Sequence, residues 1–339
     1  MSKIFISIMK YDYGVAERGF SYEYNNLYLP LCDVFGKENI YLFDFFSFYK
    51  QNGKPEMNRK LKQTITEQKP DIALFALFEN EFEPKTINSL KETTKTVVYF
   101  FDDPWRKKFA NYWKQYFSYF STPDYTMYNR YLSQGYKNVF FTPFGYNKNI
   151  YKKINIDKIY DVSFIGGYSP LREWTIKKLK SNGINVNVFG RGWNKDKSWL
   201  TEEEMVNVIN QSKINLNLSN ALSYHLPFLF WSLHSSKVVK ELLLLRKNVE
   251  QVKGRHYEIN GCGGFQLSYY IPGLEVAFKI GKELAVYDSI NNLQERIIYY
   301  LENESLRKEI AVNGYNRAVK DHTAQNYIKQ LVNKVIGKK

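Results

Sequence analysis

The 339-residue chain has the composition of a folded globular protein, with 44% hydrophobic and 24% charged residues. This length suggests about two domains, and the two cysteines, Cys32 and Cys262, offer neither a disulfide framework nor a metal-binding spacing. The 48 Lys and Arg residues against 34 Asp and Glu give a net charge of +14, which favours anionic partners. Because these cations are spread along the chain, nucleic acid is a less favoured partner than a nucleotide or an anionic lipid surface.

The apolar runs of the sequence are too short to span a bilayer, which takes about 20 residues. Met1 leads into the apolar segment Ile4–Met9 without the long apolar core of a signal peptide. We therefore expect a cytoplasmic protein, with peripheral contact with an anionic membrane as an alternative.

Short apolar runs alternate with amphipathic stretches in the first half of the chain. The apolar runs predict strands at Ile4–Met9, Ile40–Phe43, Asp71–Phe75 and Thr96–Phe101. The amphipathic stretches predict helices at Gly19–Phe35, Asn58–Glu67 and Pro84–Glu92. Such alternation is typical of a parallel sheet covered on both faces, so we assign residues 1–150 to a Rossmann-like domain.

A second alternation follows the segment 142–153, which contains Pro143 and Gly145 and is interpreted as a linker. It predicts strands at Val162–Ile165, Val186–Phe189, Ile214–Leu218, Phe265–Ser268 and Leu284–Val286. The helices are predicted at Leu171–Ser181, Glu202–Gln211, Ile290–Glu302, Ser305–Lys320 and Ala324–Ile336. The predicted fold class is α/β, with a second Rossmann-like domain at 156–320. Two doubly wound domains would face each other across a cleft, with ligands at the carboxyl ends of the strands.

The insert Ala221–Asn248 begins with an apolar and aromatic stretch, Leu226–Trp231. This stretch is interpreted as part of the core, with a membrane-contacting patch as the alternative.

The segment Glu250–Gly264 concentrates charges around glycines. Lys253 and Arg255 can neutralise phosphate oxygens, and Glu258 can accept hydrogen bonds from a ribose diol. Gly263 and Gly264 would permit a positive φ and the close approach of a ligand. The segment therefore suggests a sugar-nucleotide pocket, and the alternative is a solvated charged loop before a helix with a glycine C-cap.

A second anion site is suggested where a strand leads into a helix. Gly166 and Gly167 would expose backbone N–H groups at the helix start, and Arg172 would reach a diphosphate. Arg191, after the next strand, is similarly placed. The alternatives are a tight turn with a surface arginine and a plain loop.

Asp102 and Asp103 follow a strand of the first domain, where a carboxylate could deprotonate an acceptor hydroxyl. Alternatively, Asp103 caps a helix that begins with Pro104. Tyr13 and Gly14 follow the first strand, and Gly14 would let an acceptor approach.

The sequence lacks a Gly-x4-Gly-Lys-Ser/Thr loop and a Gly-x-Gly-x-x-Gly motif, so hydrolysis at a phosphate loop and standard dinucleotide binding lose support. With four histidines and no ligand spacing, we expect neither a metal nor another cofactor.

Taken in chain order, these motifs resemble the CgeB-like glycosyltransferases of the GT-B architecture. The resemblance is carried by segments that begin at Asp161, Ile214, Lys253, Pro272, Gly281, Tyr287 and His322, and more loosely by Phe100–Trp105. It implies that the C-terminal domain binds a nucleotide-sugar donor and that helix 322–336 packs back on the N-terminal domain.

The resemblance also assigns expected roles to residues. Glu250 and Glu258 have the Glu-x7-Glu spacing of retaining GT-B enzymes, which would place Glu258 at the ribose and Glu250 near the transferred sugar. The residues between them depart from the usual Gly-Phe-Gly type. The implied catalytic residues are Asp103, Asp102 and Glu250. The implied donor-binding residues are Gly166, Gly167, Arg172, Arg191, Lys253, Arg255, His256, Glu258, Gly263 and Gly264.

The expected function is metal-independent transfer of a sugar from a nucleoside-diphosphate sugar to a glycan or lipid-linked hydroxyl, as in polysaccharide biosynthesis. A nucleotide-sugar epimerase, a non-catalytic surface or spore protein that binds nucleotide sugars, and a DNA-modifying glycosyltransferase are the alternatives.

Overall fold

The computed structural model describes residues 2–193, 200–219, 226–244 and 249–337. The chain divides into two compact units, one formed by Met1–Asn147 with Thr323–Lys339 and the other by Lys148–His322. Each unit contains a parallel β-sheet with its own hydrophobic core. The sequence analysis placed the domain boundaries at residues 150 and 320, close to these positions.

All strand pairs in both sheets are parallel among the described residues. The strands of the first unit are β1 (Ile4–Ile8), β2 (Ile40–Asp44), β3 (Ile72–Phe75), β4 (Lys95–Tyr99), β5 (Tyr119–Thr122) and β6 (Val139–Phe141). Those of the second unit are β7 (Tyr160–Ile165), β8 (Asn187–Phe189), β9 (Ser212–Asn217), β10 (Gln266–Tyr269) and β11 (Ala285–Tyr287). The spatial orders are β2-β1-β3-β4-β5-β6 and β11-β10-β9-β7-β8.

Helices connect and cover these strands. In the first half of the chain they are α1 (Leu29–Phe35), α2 (Phe45–Gln68), α3 (Pro84–Leu90), α4 (Lys107–Trp113) and α5 (Tyr125–Ser133). They continue with α6 (Pro170–Ser181), α7 (Glu202–Gln211), α8 (Leu226–Ser232), α9 (Ser236–Leu244) and α10 (Gly254–Gly261). The last four are α11 (Leu274–Ala277), α12 (Ile290–Glu302), α13 (Glu304–Asp321) and α14 (Ala324–Ile336).

Each sheet has a point where the chain reverses its direction of travel across the sheet. β1 pairs with β2 on one side and with β3 on the other, and β7 pairs in the same way with β8 and β9. The connections that leave the central strand in opposite directions open a crevice at the carboxyl ends. The β1/β3 and β7/β9 junctions are therefore the places where this fold positions a site.

The prediction of one helix over Gly19–Phe35 is wrong. Gly19 adopts φ 83°, and Phe20 forms an isolated antiparallel bridge with Tyr11, so this part of the segment is not helical. A wide helical turn at Tyr24–Tyr28 then leads into α1. The element α2 is kinked at Gly53, which adopts φ 79°, so it consists of two helical segments. The predicted helix Asn58–Glu67 lies in the second segment. The first segment, whose N-cap Asp44 accepts a hydrogen bond from the Ser47 N–H, was not predicted.

The last helix, α14, belongs to the first unit. Its apolar residues Ile328, Leu331 and Val332 pack in one core cluster with residues of β1 and β3. At its first turn, Gln325 Nε2 donates to Asn147 Oδ1 at 2.9 Å and to Asp33 Oδ2 at 2.9 Å.

The aromatic insert has one buried face and one exposed face. Phe228 is buried in a cluster with Leu171 and Trp174. Leu226 and Phe230 on α8 and Leu233 just after it are instead about 70% exposed (67%, 73% and 70%). The predicted core role thus holds for one face. Residues 220–225 and 245–248 of this region lie outside the described residues. In the part of the chain that is described, no helix is both long and apolar enough to cross a membrane.

Close packing of α13 against α10 leads to a stability prediction. A Cβ atom on Gly314 would overlap the Glu283 carbonyl oxygen and lie 3.0 Å from Asn260 Nδ2. Gly314→Ala should therefore lower the free energy of unfolding by about 1–3 kcal/mol, although helix propensity alone favours alanine by about 1 kcal/mol.

Urea unfolding checks this prediction, with Asn316→Ala as the control because Asn316 is exposed on the same helix. The control should change stability by less than about 0.5 kcal/mol. A stabilised Gly314→Ala protein would contradict the packing account.

Candidate functional site

Within the segment Glu250–Gly264, residues Gly254–Gly261 form helix α10. The alternative of a charged loop before a helix that ends at a glycine also fits, because residues 250–253 are not helical and Gly263 adopts φ 71° after the helix. Lys253 is the N-cap residue of α10, and the helix runs directly towards β10. Because a helix between parallel strands runs antiparallel to them, the start of α10 lies at the carboxyl edge of the sheet. Lys253 and Arg255 are therefore at the edge where a ligand is expected.

His256 positions this helix from inside the domain. The buried ring accepts a hydrogen bond at Nδ1 from the Lys253 backbone N–H at 3.1 Å. Its Nε2 lies 3.1 Å from Ser268 Oγ, which itself donates to the Tyr269 carbonyl, so Nε2 is the donor of this pair. Burial lowers the pKa of His256 to about 4, which keeps the ring neutral. His256 is thus a positioning residue, which corrects its predicted direct contact with the donor.

Arg255 and Glu258 form an ion pair on α10. Arg255 Nη1 lies 2.9 Å from Glu258 Oε2, and the Glu258 side chain is only 5% exposed. Burial raises the pKa of Glu258, while Arg255 and a hydrogen bond from Tyr151 lower it. The pair is therefore held in a low-dielectric setting, where its charges act strongly on a neighbouring ligand.

Arg172 ties together the two loops of the β7/β9 junction. Its Nη1 donates to the Gly167 carbonyl at 2.7 Å, and its Nε donates to the Leu218 carbonyl at 3.1 Å. Burial lowers the pKa of Arg172, and the positive charge of Arg255 lowers it further. Arg172, in the first turn of α6, and Arg255, in the first turn of α10, therefore both lie at the carboxyl edge of the second sheet.

The glycines at this junction serve different purposes. A Cβ atom on Gly166 would lie 2.6 Å from Phe164 Cζ, whereas one on Gly167 would meet only the Arg191 carbonyl oxygen at 4.0 Å. That carbonyl accepts a hydrogen bond from the Tyr168 N–H at 2.8 Å, while the Arg191 side chain is exposed. Gly166 is therefore required for packing, and the backbone at Gly167 is open to a ligand.

Gly263 and Gly264 lie at the other end of α10, which corrects their predicted contact with a ligand. They precede β10 and so occupy the amino edge of the sheet. Gly263 adopts φ 71°. A Cβ atom on Gly264 would lie 2.8 Å from Asn215 Nδ2 and 2.9 Å from Ile209 Cγ2. These glycines permit close packing of the helix end.

Further groups lie at the carboxyl ends of β10 and β11. The charge of Glu250 contributes to the raised pKa of Tyr269, after the larger effect of burial, so Glu250 lies near the end of β10. The buried Tyr287 hydroxyl, at the end of β11, makes no hydrogen bond with the described residues. Sequence reasoning gave no role to Tyr287 or to Tyr151, and the only signal was the presence of Tyr287 in a family motif.

In the first unit, Asp103 is not a helix cap. The helix that follows, α4, starts at Lys107 with Arg106 as its N-cap residue, so the capping interpretation is wrong. Asp103 is 1% exposed, and its Oδ1 accepts a hydrogen bond from Thr122 Oγ1 at 3.0 Å. Burial raises the pKa of Asp103 to about 8, and the negative charges of Asp124 and Asp102 are smaller causes of the same rise.

Asp102 and Asp103 line a cavity of about 450 Å³ at the β1/β3 junction, together with Tyr13. This volume is typical of a small-molecule site. Gly14 has a different place, because a Cβ atom there would lie 2.6 Å from the Phe46 ring. The prediction that an acceptor approaches Gly14 is therefore corrected: Gly14 packs against Phe46. Among the described residues, no group of three or more His, Cys, Asp or Glu is arranged to hold a metal ion.

Comparisons with known proteins agree on the fold. Residues 172–333 match the model of the glycosyl transferase-like family. The spore protein CgeB of Bacillus subtilis (strain 168) is 22% identical over 205 residues, which are 56% of this chain and 59% of CgeB. The chain therefore matches little more than half of that relative.

Several solved structures resemble the whole chain, and two of them serve as examples. Anabaena Alr3699/HepE, crystallised with UDP and glucose, has a TM-score of 0.62 and 11% identity, over 99% of this chain and 100% of that one. A glycosyltransferase from Rickettsia africae ESF-5 has a TM-score of 0.64 and 9% identity, over 100% and 99%. These similarities identify the GT-B fold.

The raised pKa of Asp103 predicts a pH-dependent stability. In an unfolded chain an aspartate titrates near 3.9, whereas in the folded protein burial raises the pKa of Asp103 to about 8. Between these values the folded state binds more protons, so this residue makes stability fall as pH rises. Asp103→Asn should remove that fall, which amounts to about 1.4 kcal/mol for each pH unit between the two values.

Urea unfolding at pH 5, 6.5 and 8 checks this prediction. The free energy of unfolding of Asp103→Asn, relative to that of the wild type, should increase as pH rises. Glu92→Gln is the control, because Glu92 is an exposed carboxylate before β4, and it should follow the wild-type curve. An equal pH dependence of the free energy of unfolding in Asp103→Asn and the wild type would contradict the raised pKa of Asp103.

Proposed function

We propose that the chain is a CgeB-like glycosyltransferase with the GT-B architecture and that it transfers a sugar from a nucleoside-diphosphate sugar to an acceptor hydroxyl. The second unit binds the donor, and the first unit binds the acceptor. HepE shares this fold and was crystallised with UDP and glucose, so UDP-glucose is the first donor to test.

The placement of Arg172 and Arg255 in the first turns of α6 and α10 is the observation that carries this proposal. Guanidinium groups at the carboxyl edge of the sheet can neutralise the oxygens of a bound anion. The helices α6 and α10 begin at the same edge, and their first N–H groups also favour negative charge. A diphosphate supplies the charge that this arrangement requires.

The remaining donor contacts follow from the same geometry. Glu258 is placed to accept hydrogen bonds from the ribose diol when Arg255 turns to the phosphates. Glu250, near the end of β10, faces the transferred hexose. As the glycosidic bond breaks, the fixed cations and helix N-termini stabilise the leaving diphosphate without a metal.

Asp103 is the general base of this proposal. Its raised pKa, about 8, means that its basic form increases as pH rises through neutrality. In a retaining reaction the leaving phosphate takes the proton instead, and Asp102 and Asp103 orient the acceptor. The proposed acceptor hydroxyl belongs to a glycan or a lipid-linked chain.

Arg255→Ala tests the donor site. The variant should bind UDP more weakly and should transfer glucose from UDP-glucose about 10²–10³-fold more slowly, because the diphosphate loses one of its two cations. Calorimetric titration with UDP and release of UDP from UDP-glucose measure the two effects.

Arg59→Ala is a matched control. Arg59 forms an i,i+3 ion pair with Glu56, as Arg255 does with Glu258, but its side chain is 65% exposed. The control should retain wild-type binding and turnover. Near-wild-type UDP affinity in a folded Arg255→Ala protein would rule out the proposed donor site.

A further inference from the structure

The described lining of the cavity in the first unit is rich in carboxyl groups, although the protein has a net charge of +14. Its walls include five carboxyl groups and a single guanidinium group in the described part of the chain. The carboxyl groups belong to Asp12, Glu23, Glu79, Asp102 and Asp103. A basic protein has thus gathered acidic side chains at one switch point of its fold.

The guanidinium group, that of Arg106, forms part of the wall. Its Nη2 donates to the Phe78 carbonyl at 2.6 Å, and its central carbon lies 4.0 Å from the centre of the Phe109 ring. These contacts hold it in place, and its one positive charge is smaller than the combined charge of the carboxyl groups around it.

The carboxyl groups raise one another's proton affinity. Burial raises the pKa of Glu23 to about 7, with the charges of Asp12 and Asp102 as smaller causes. Asp103 Oδ2 is buried and makes no hydrogen bond of normal geometry with the described residues. The nearby Tyr131 hydroxyl lowers the pKa of this carboxyl, but by less than burial raises it. An acceptor oxygen on the cavity wall is therefore available to a ligand.

Aromatic rings complete the walls. Tyr13 meets Phe78 edge to face at 5.7 Å, and Tyr22 meets Phe101 in the same way at 5.8 Å. Trp105 also lines the cavity. Aromatic faces combined with carboxylates are the usual surroundings of an organic cation.

We propose that this cavity binds a protonated amino group of the acceptor, so that the acceptor is an amino-bearing sugar or glycan rather than an anionic one. The inference rests on the proposed function, because it names the acceptor class of that reaction. Entry of an ammonium group places a positive charge beside the carboxyl groups, and a protonated carboxyl then releases its proton to solvent.

Three glycosides that differ only at C6 test the proposal. Methyl 6-amino-6-deoxyglucoside carries an ammonium group, methyl glucoside a hydroxyl and methyl glucuronide a carboxylate. In calorimetric titrations at pH 7, the amino glycoside should bind at least about tenfold more tightly than the neutral one, and the glucuronide should bind most weakly. Titrations in two buffers of different ionisation enthalpy should show proton release with the amino glycoside alone.

Glu23→Gln should reduce the preference for the amino glycoside, and Asp102→Asn is a second variant in case the first is unstable. Glu92→Gln, which removes an exposed carboxylate elsewhere in the same unit, should leave the preference unchanged. Equal affinity for the amino and neutral glycosides, or tighter binding of the glucuronide, would overturn the inference.

These titrations need no donor, so their outcome is separate from that of the proposed function. Transfer from UDP-glucose to all three glycosides at equal rates would sink the inference and leave the transferase proposal in place. Selective binding of the amino glycoside without UDP binding would support the inference and count against the donor site.

Discussion

The position of α10 is the constraint on which the candidate donor site depends. The neutral, buried ring of His256 joins the Lys253 backbone N–H to Ser268 on β10, and Gly264 and Gly314 allow close contact at the far side of the helix. Because the helix is fixed in this way, Arg255 and Glu258 stand at the carboxyl edge of the sheet. A charged His256 or a larger residue at either glycine would shift the charges that face the ligand.

The same topological device places opposite charges in the two units. At the carboxyl edge of the second sheet lie Arg172 and Arg255, whereas at the β1/β3 junction Glu23 and Asp103 line a cavity rich in carboxyl groups. Burial raises the pKa values of Glu23 and Asp103, and such perturbed groups in a cleft are typical of ligand-binding sites. This complementarity supports a nucleoside diphosphate in one unit and a cationic group in the other.

Much of the fold could be predicted from the sequence, because buried parallel strands leave continuous apolar runs such as those of β1 and β3. The strands β5 and β6 were missed, although β8 and β11 are as short as β6 and were predicted. The break at Gly19 and the helical segment between Phe45 and the kink at Gly53 were also missed, since both depend on contacts that local propensity does not report.

For the site, the sequence indicated which residue types matter but not which of them face a ligand. Arg172 and Arg255 lie at the carboxyl edge, which follows from chain order in a parallel sheet, and their contact with a donor stays a prediction. His256, Gly263 and Gly264 lie in the same motif yet serve packing, and only tertiary contacts distinguish them. The alternative that Asp103 caps a helix was wrong because the Asp-Pro pattern is local, whereas the hydrogen bond of Asp103 to Thr122 is not.

Hydrogen–deuterium exchange with and without saturating UDP tests the central claim most directly, because it reports where the nucleotide binds. The account predicts slower exchange at residues 166–172 and 253–258, with no change at residues 100–106 of the acidic cavity. Protection confined to the first unit, or none with UDP, GDP, ADP or CDP, would contradict it.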